Sequence, residues 1–266
     1  MENYIRLGAF WGLFLLIALW EILRPRRALS ESKAKRWGLN LGLSGFNILL
    51  LRFGLGLTLT QVALFCQQLG WGVFNYLNWP ITLELLLGWA ALDFGIYLQH
   101  MMSHYLPIFW RSHQVHHSDL NLDVSSGVRF HPLEIMVSFG FKTLMVFALG
   151  PSVGAVILFE MALNLGSTFN HGNIYIPPKL DRVLRLFIVT PDVHRIHHSA
   201  RAAETNSNFG FSVPWWDQLC GTFCGTPQRP QTEFDIGLDY CRDFETANSI
   251  KGTLITLPLK HASQKN

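Results

Sequence analysis

Apolar residues run along this chain in long blocks separated by short polar stretches, and the block lengths predict membrane-crossing helices. The first block, Ile5 to Leu23, is long enough to span a hydrocarbon layer of about 30 Å at about 1.5 Å per residue. It is too long, and its downstream flank too basic, for a cleaved signal sequence. Arg24, Arg26, Arg27, Lys33, Lys35 and Arg36 follow at once, so the positive-inside rule puts this loop in the cytoplasm and the amino terminus outside. A second block, Leu39 to Cys66, is interrupted by Arg52, which must either face other helices or mark a break, because a lipid-facing charge is costly. A third begins near Ile81 and carries His100 and His104 at its inner end. Leu133 to Asn170 would extend more than about 50 Å as one straight helix. Gly150-Pro151 supplies a break, and two spans folded as a hairpin put His131 and His171 on the cytoplasmic side with the other histidines.

Polar residues inside these blocks recur at helical spacing. Asp93, Tyr97, His100 and His104 form one stripe, and Glu160, Asn164, Ser167 and His171 form a second that could meet it. An intramembrane carboxylate two turns from a histidine suggests that Asp93 is an outer partner of an imidazole. After His171 the pattern becomes amphipathic: Lys179, Arg182 and Arg185 interleave with Leu180, Val183, Leu184, Leu186 and Phe187, as expected for a helix along a membrane surface or, equally, for a solvated charged face. Thr190-Pro191-Asp192 reads as a helix start with Thr190 as cap. Residues beyond Ser199 contain no further span and read as a cytoplasmic cap. The expected architecture is therefore all-α, a multi-pass membrane helix bundle of four to five spans in hairpins under a histidine-rich metal-binding cap. Its parts are an N-terminal transmembrane hairpin with a basic cytoplasmic loop (residues 1–80), a histidine-bearing unit (81–226) and a polar tail (227–266).

Composition agrees with membrane insertion: 49% of the 266 residues are hydrophobic, 15% are charged, and mean hydropathy is +0.22. The net charge of +3 is small and its basic residues lie in short loops, without the patch expected of a nucleic-acid binder. Cys66, Cys220, Cys224 and Cys241 lack metal-finger spacing and read as plain thiols.

Histidine changes the picture most. The triplet His113-Gln-Val-His116-His117 recurs as His194-Arg-Ile-His197-His198, and ten of the eleven histidines fall between His100 and His198. Neutral imidazole is the commonest metal ligand, and residues three or four apart share a helix face. His100, His104, His113, His116, His117, His171, His194, His197 and His198 are nine candidate ligands, more than one tetrahedral or octahedral ion takes, so two metals are the economical solution. An all-nitrogen pair suits iron, with copper, zinc and manganese left open by ligand type. His131, beside Pro132, reads as an outer partner or a structural residue. Asp192 and Asn170 are candidates to orient ligands, and His261 lies in the polar tail, away from this chemistry.

The order His100-x-x-x-His104, His113-x-x-His116-His117, His194-x-x-His197-His198 resembles the three histidine boxes of the fatty acid hydroxylase and sterol desaturase superfamily of membrane di-iron enzymes. Supporting phrases are Arg129-Phe130-His131-Pro132-Leu133-Glu134, Asn170-His171-Gly172-Asn173, Asn208-Phe209-Gly210 and Trp216-Asp217-Gln218-Leu219-Cys220-Gly221-Thr222. The resemblance covers roughly residues 81–226. It implies two iron ions, O2 as co-substrate, and hydroxylation or desaturation of a lipid that enters from the bilayer, whether sterol, fatty acyl or ether lipid. No dinucleotide-binding or haem-attachment motif is present, so a separate electron donor, a reductase with a ferredoxin or cytochrome, is implied. Some members carry a further histidine where this chain has Ser167, which leaves that ligand position different here. Two other classes of function compete, a membrane metal transporter and a zinc-dependent lipid hydrolase. Transporters normally bind at mid-membrane, and no His-Glu-x-x-His hydrolase signature occurs.

Overall fold

A computed structural model describes residues 2–77 and 79–259. His261 lies outside the described residues. Among these the chain is all-α, with isolated bridges in place of strands. Five helical segments are long and apolar enough to cross a membrane: Tyr4–Leu23, Lys33–Tyr76, Ile81–Tyr105, Pro132–Leu149 and Val153–Asn170. The bundle is thus the multi-pass helical assembly expected from the apolar blocks.

The helices up to the second histidine triplet are α1 (Glu2–Leu23), α2 (Lys33–Leu49), α3 (Leu59–Leu69), α4 (Ile81–Tyr105), α5 (Pro107–His117), α6 (Pro132–Leu149), α7 (Val153–Asn170), α8 (Pro178–Leu184) and α9 (Pro191–His197), and short helical turns follow in the cap. The second span is not one helix. After α2 the backbone widens into a π-helical turn, Leu50–Leu55, and Gly56 adopts a left-handed conformation. Thr58 and Gln61 then cap α3 reciprocally. Arg52 sits in this π turn, exposed, so it marks the break and does not face other helices.

Two ends of the bundle can be told apart. At one, Gly72 abuts the α6–α7 turn so closely that a Cβ there would meet Gly150, whose φ of +63° suits glycine, and the Ser152 amide donates to Glu84 at the start of α4 (2.8 Å). At the other end, Glu21 at the close of α1 accepts from the amides of Val124 (2.7 Å) and Asn173 (2.9 Å) and pairs with Lys33 (2.8 Å). All the histidines of the triplets lie at this second end. Leu59, Val62, Ala63 and Cys66 of α3 pack with Leu92 and Ile96 of α4, Val146 of α6, and Val156 and Phe159 of α7, forming a dry core between the ends. A second cluster, Phe14, Ile17 and Ala18 with Val124, Ile174 and Ile176, fastens α1 to the histidine end.

The connecting segments cover that end. Trp110 and Val115 of α5 pack on Leu238, Cys241 and Leu257. The amphipathic segment forms only the short α8, with Leu180 and Val183 exposed, and Leu186 and Phe187 are exposed in the turn that follows it. Thr190 occupies the N-cap position of α9, with Pro191 first in the helix, but its hydroxyl makes no capping bond and is buried without a partner.

Candidate metal centre

The nine histidines that the sequence singled out converge as two buried groups. His100, His104, His113, His117 and His197 offer ring nitrogens all within 4.8 Å of one another, and so do His116, His171, His194 and His198. Each triplet is divided between them. Successive helical residues point about 100° apart, so His116 turns away from His113 and His117 although all three share a helix. In the second triplet His197 joins the first group while His194 and His198 join the other. The groups adjoin, with the rings of His117 and His198 stacked at 4.4 Å.

Within the groups, Nε2 atoms face one another. His113 Nε2 lies 3.1 Å from those of His100 and His104 and 3.2 Å from that of His117. His171 Nε2 lies 3.2 Å from those of His116 and His194, and His198 Nε2 is 3.2 Å from His194 Nε2. The opposite ring edge fixes the tautomer in five cases. His100 donates from Nδ1 to the Phe209 carbonyl (2.7 Å), His116 to Arg129 (3.2 Å), His171 to Ser167 (2.8 Å) and His197 to Ser207 (2.7 Å). His113 Nδ1 faces a carboxylate oxygen of Glu134 at 2.6 Å. A carbonyl or carboxylate can only accept, so the proton sits on Nδ1 and a neutral ring turns a lone pair inward from Nε2.

Lone pairs therefore confront each other, His100 against His113 in one group and His116 against His171 in the other, with no proton to bridge them. Adding protons is disfavoured. Burial drives His116, His117, His194 and His198 well below the ordinary histidine range, with neighbouring rings adding to the effect. Burial likewise pushes His171 down to about 4 and His197 to about 3, against the help of their carbonyl partners. A cation resolves the repulsion. With metal–nitrogen bonds of about 2.1 Å, adjacent ligand nitrogens stand about 3.0 Å apart at an octahedral edge and about 3.4 Å at a tetrahedral one, which brackets the spacing here. The donor set fits two transition-metal ions.

The surroundings hold these rings in place. Arg36 grips Asp119 with two bonds of 2.7 Å and Asp123 with one of 2.6 Å, all fully buried just past the first triplet. Burial opposes ionisation of Asp119, but the guanidinium overcomes it and holds the carboxyl at about 2. Arg129 donates to Val115 O, Ser118 Oγ, Asn40 Oδ1 and the Ala247 carbonyl, which positions its own carbonyl for His116. Gly127 lets this segment touch α7, since a Cβ there would lie 2.8 Å from Ser167 O and 3.3 Å from the His171 ring. Asp217 accepts from the amides of Phe209 and Gly210 (2.8 Å each) and so fixes the carbonyl used by His100. Phe211 and Phe130 stack on His100 and His116 at 4.6 and 4.5 Å.

The four residues considered as outer partners make contacts of their own. Asp93 accepts from Trp216 Nε1 (2.8 Å). His131 is the N-cap of α6, accepting from the Leu133 amide. Asn170 donates to the Phe211 carbonyl, and Asp192 pairs with Arg26 and Arg195. Ser167 donates to Gly127 O and lends its carbonyl to His171. The carboxylate that does face a ring belongs to Glu134, which the sequence marks only as the end of the phrase Arg129–Glu134. Its signal is an acidic residue in the first turn of a largely apolar span.

A cavity of about 150 Å³ leads from His100 and His113 into the bundle between α1, α4, α6 and α7. Asn164 and Ser167 line it together with His100, so the two polar stripes meet there in part. Their outer members turn elsewhere, Tyr97 to Thr222 and Glu160 to Arg6.

Comparison with known proteins agrees with this geometry. The ornithine lipid hydroxylase OlsE of Rhizobium tropici is 31% identical over 161 residues, 60% of this chain and 47% of the relative. Human alkylglycerol monooxygenase is 30% identical over 156 residues, 57% of this chain and 33% of the relative. The matched part thus spans less than half the length of these relatives, and no solved structure gives a significant match. The fatty acid hydroxylase family model matches residues 85–222, just over half of the chain and nearly all of the histidine-bearing region, and the protein belongs to that family.

Proposed function

We propose that this protein is a membrane oxidoreductase that uses two iron ions and O2 to hydroxylate a carbon–hydrogen bond of a lipid drawn from the bilayer. The observation that carries the reading is the confrontation of Nε2 lone pairs at 3.1–3.2 Å in two adjoining groups, which calls for two cations. Bound there, an iron pair would supply the O2 chemistry that side chains cannot. The nine histidines are its ligands in this reading, and Glu134 with the carbonyls of Phe209, Arg129, Ser167 and Ser207 keeps the Nδ1 protons in place. Phe130 and Phe211 exclude water from the inner faces of His116 and His100.

Hydroxylation is preferred over desaturation because the relatives are named hydroxylase and monooxygenase. Residues 81–226 form the catalytic unit, braced by α1 and α2. The basic loop after α1 lies at the histidine end, which supports a cytoplasmic site. Electrons then come from a separate cytoplasmic donor, a reductase with a ferredoxin or cytochrome. The test compares lipids from cells carrying the wild type or His197→Ala under isotopically labelled O2. A lipid that gains one labelled oxygen only with the wild type is the expected result. Equal labelling by both forms refutes the site, and metal uptake by proteoliposomes without lipid oxidation points to transport instead.

A further inference from the structure

Four of the nine rings, His104, His117, His194 and His198, leave Nδ1 buried without a hydrogen-bond partner. One of them has an unused acceptor beside it. The Oδ1 of Asn206 is likewise buried without a partner. Beyond the neighbouring imidazoles, the Asn206 side chain is the hydrogen-bonding group that acts on His104. His104 Nε2 points inward, 3.1 Å from His113 Nε2, so Nδ1 is its outer nitrogen.

The loop that carries Asn206 is held on both sides. Thr205 and Ser207 are buried, and the Ser207 carbonyl accepts from His197 Nδ1 (2.7 Å). Asn208, at a left-handed φ of 55°, donates to the carbonyls of Val193 (3.1 Å) and Cys224 (2.8 Å) and accepts from the Cys224 amide (2.8 Å). Glu204 accepts from Ser199 Oγ (2.5 Å) and from the Gln228 amide (2.7 Å). The rings of His104 and His197 stand 4.7 Å apart, so residues 206 and 207 lie beside two members of one histidine group.

We propose that Asn206 is a positioning residue for the five-histidine site: its Oδ1 accepts from the Nδ1–H of His104 and keeps that ring's Nε2 lone pair turned to the metal. The inference rests on the metal reading above and concerns how one ligand is held. The reverse arrangement, with the amide Nδ2 donating to Nδ1, would place the ring proton on Nε2 and aim it at His113, where a ligand needs a lone pair. The carbonyl is therefore the end of Asn206 that serves this ring.

The test titrates the purified chain with zinc against a chelating indicator and records the thermal unfolding midpoint before metal is added. Asn206→Leu keeps the size of the side chain but removes the acceptor, and about tenfold to a hundredfold more zinc should be needed for half-loading, with the metal-free midpoint unchanged. Asn206→Asp keeps an acceptor and should load at least as tightly as the wild type. Wild-type loading by Asn206→Leu overturns the proposal. So does equal weakening in both variants, or a weakening matched by a fall in the metal-free midpoint. A crystal structure of the zinc-loaded wild type needs no variant: Asn206 Oδ1 should lie within about 3.2 Å of His104 Nδ1, and a gap beyond about 3.5 Å, or another acceptor in that place, refutes the contact. Because zinc is the probe, missing iron or missing labelled product would defeat the oxidative reading and leave this contact to stand or fall by itself.

Discussion

At the scale of single residues, the proposed centre depends on side chains outside the histidine groups. Glu134 holds the Nδ1 proton of His113, so Glu134→Gln keeps an acceptor but removes the charge that makes the ring a better donor. We expect iron affinity to fall by about tenfold to a hundredfold, read by metal competition on purified protein, with folding unaltered. Arg36 carries a different burden, since its loss would strand Asp119 and Asp123 without a cation in a fully buried place. Arg36→Leu should destabilise the protein by about 3–5 kcal/mol, seen as a large fall in thermal unfolding temperature in detergent. An unchanged midpoint would refute the role given to this network. The histidines that cluster were legible in the sequence because imidazole is rare and its spacing is informative. Their supporting groups were not. Four of the five identified tautomer-fixing partners are backbone carbonyls, which every residue possesses, and Glu134 is twenty-one positions from the ring it serves.

At the scale of elements, one helix feeds both groups. His116 belongs to a set of four and His117 to a set of five, although they are neighbours on α5. His116→Ala leaves three donors, and iron content should drop to about one ion per chain, whereas His117→Ala leaves four and should retain about two ions at saturating metal. Identical losses in the two variants would contradict the allocation. The spans themselves were readable from apolar block length, including the hairpin at Gly150-Pro151, whereas at Arg52 the sequence left a break and a helix-facing charge both open and the π turn decides for the break. What the blocks could not reveal was how the long cap returns. Asp93 looked like an imidazole partner along its own helix, but Trp216, far away in sequence, comes back across α4 and takes its carboxylate. Local periodicity ranks neighbours on one helix and is blind to such returns.

At the scale of the whole molecule, orientation and mechanical coupling come to the fore. Ala28 lies exposed in the basic loop at the histidine end, and Val73 is exposed at the opposite end. Cysteine placed at Ala28 should react with a membrane-impermeant maleimide only after membranes are opened, and at Val73 in intact cells; the reverse pattern would invert the topology. The exposed apolar residues of α8 and of the turn after it, to which Trp215 is joined by its bond to Leu186 O (2.8 Å), form a shelf at the histidine end that suits a bilayer surface. The divided triplets also have a mechanical meaning. Helices α5 and α9 each contribute to both groups, so a single ion between them acts as a pivot and still permits rotation, while a second ion acts as another pin and removes it. The ordering cost met by the first ion is then spared the second, and loading should run cooperatively, from empty to full with little of the half-filled form.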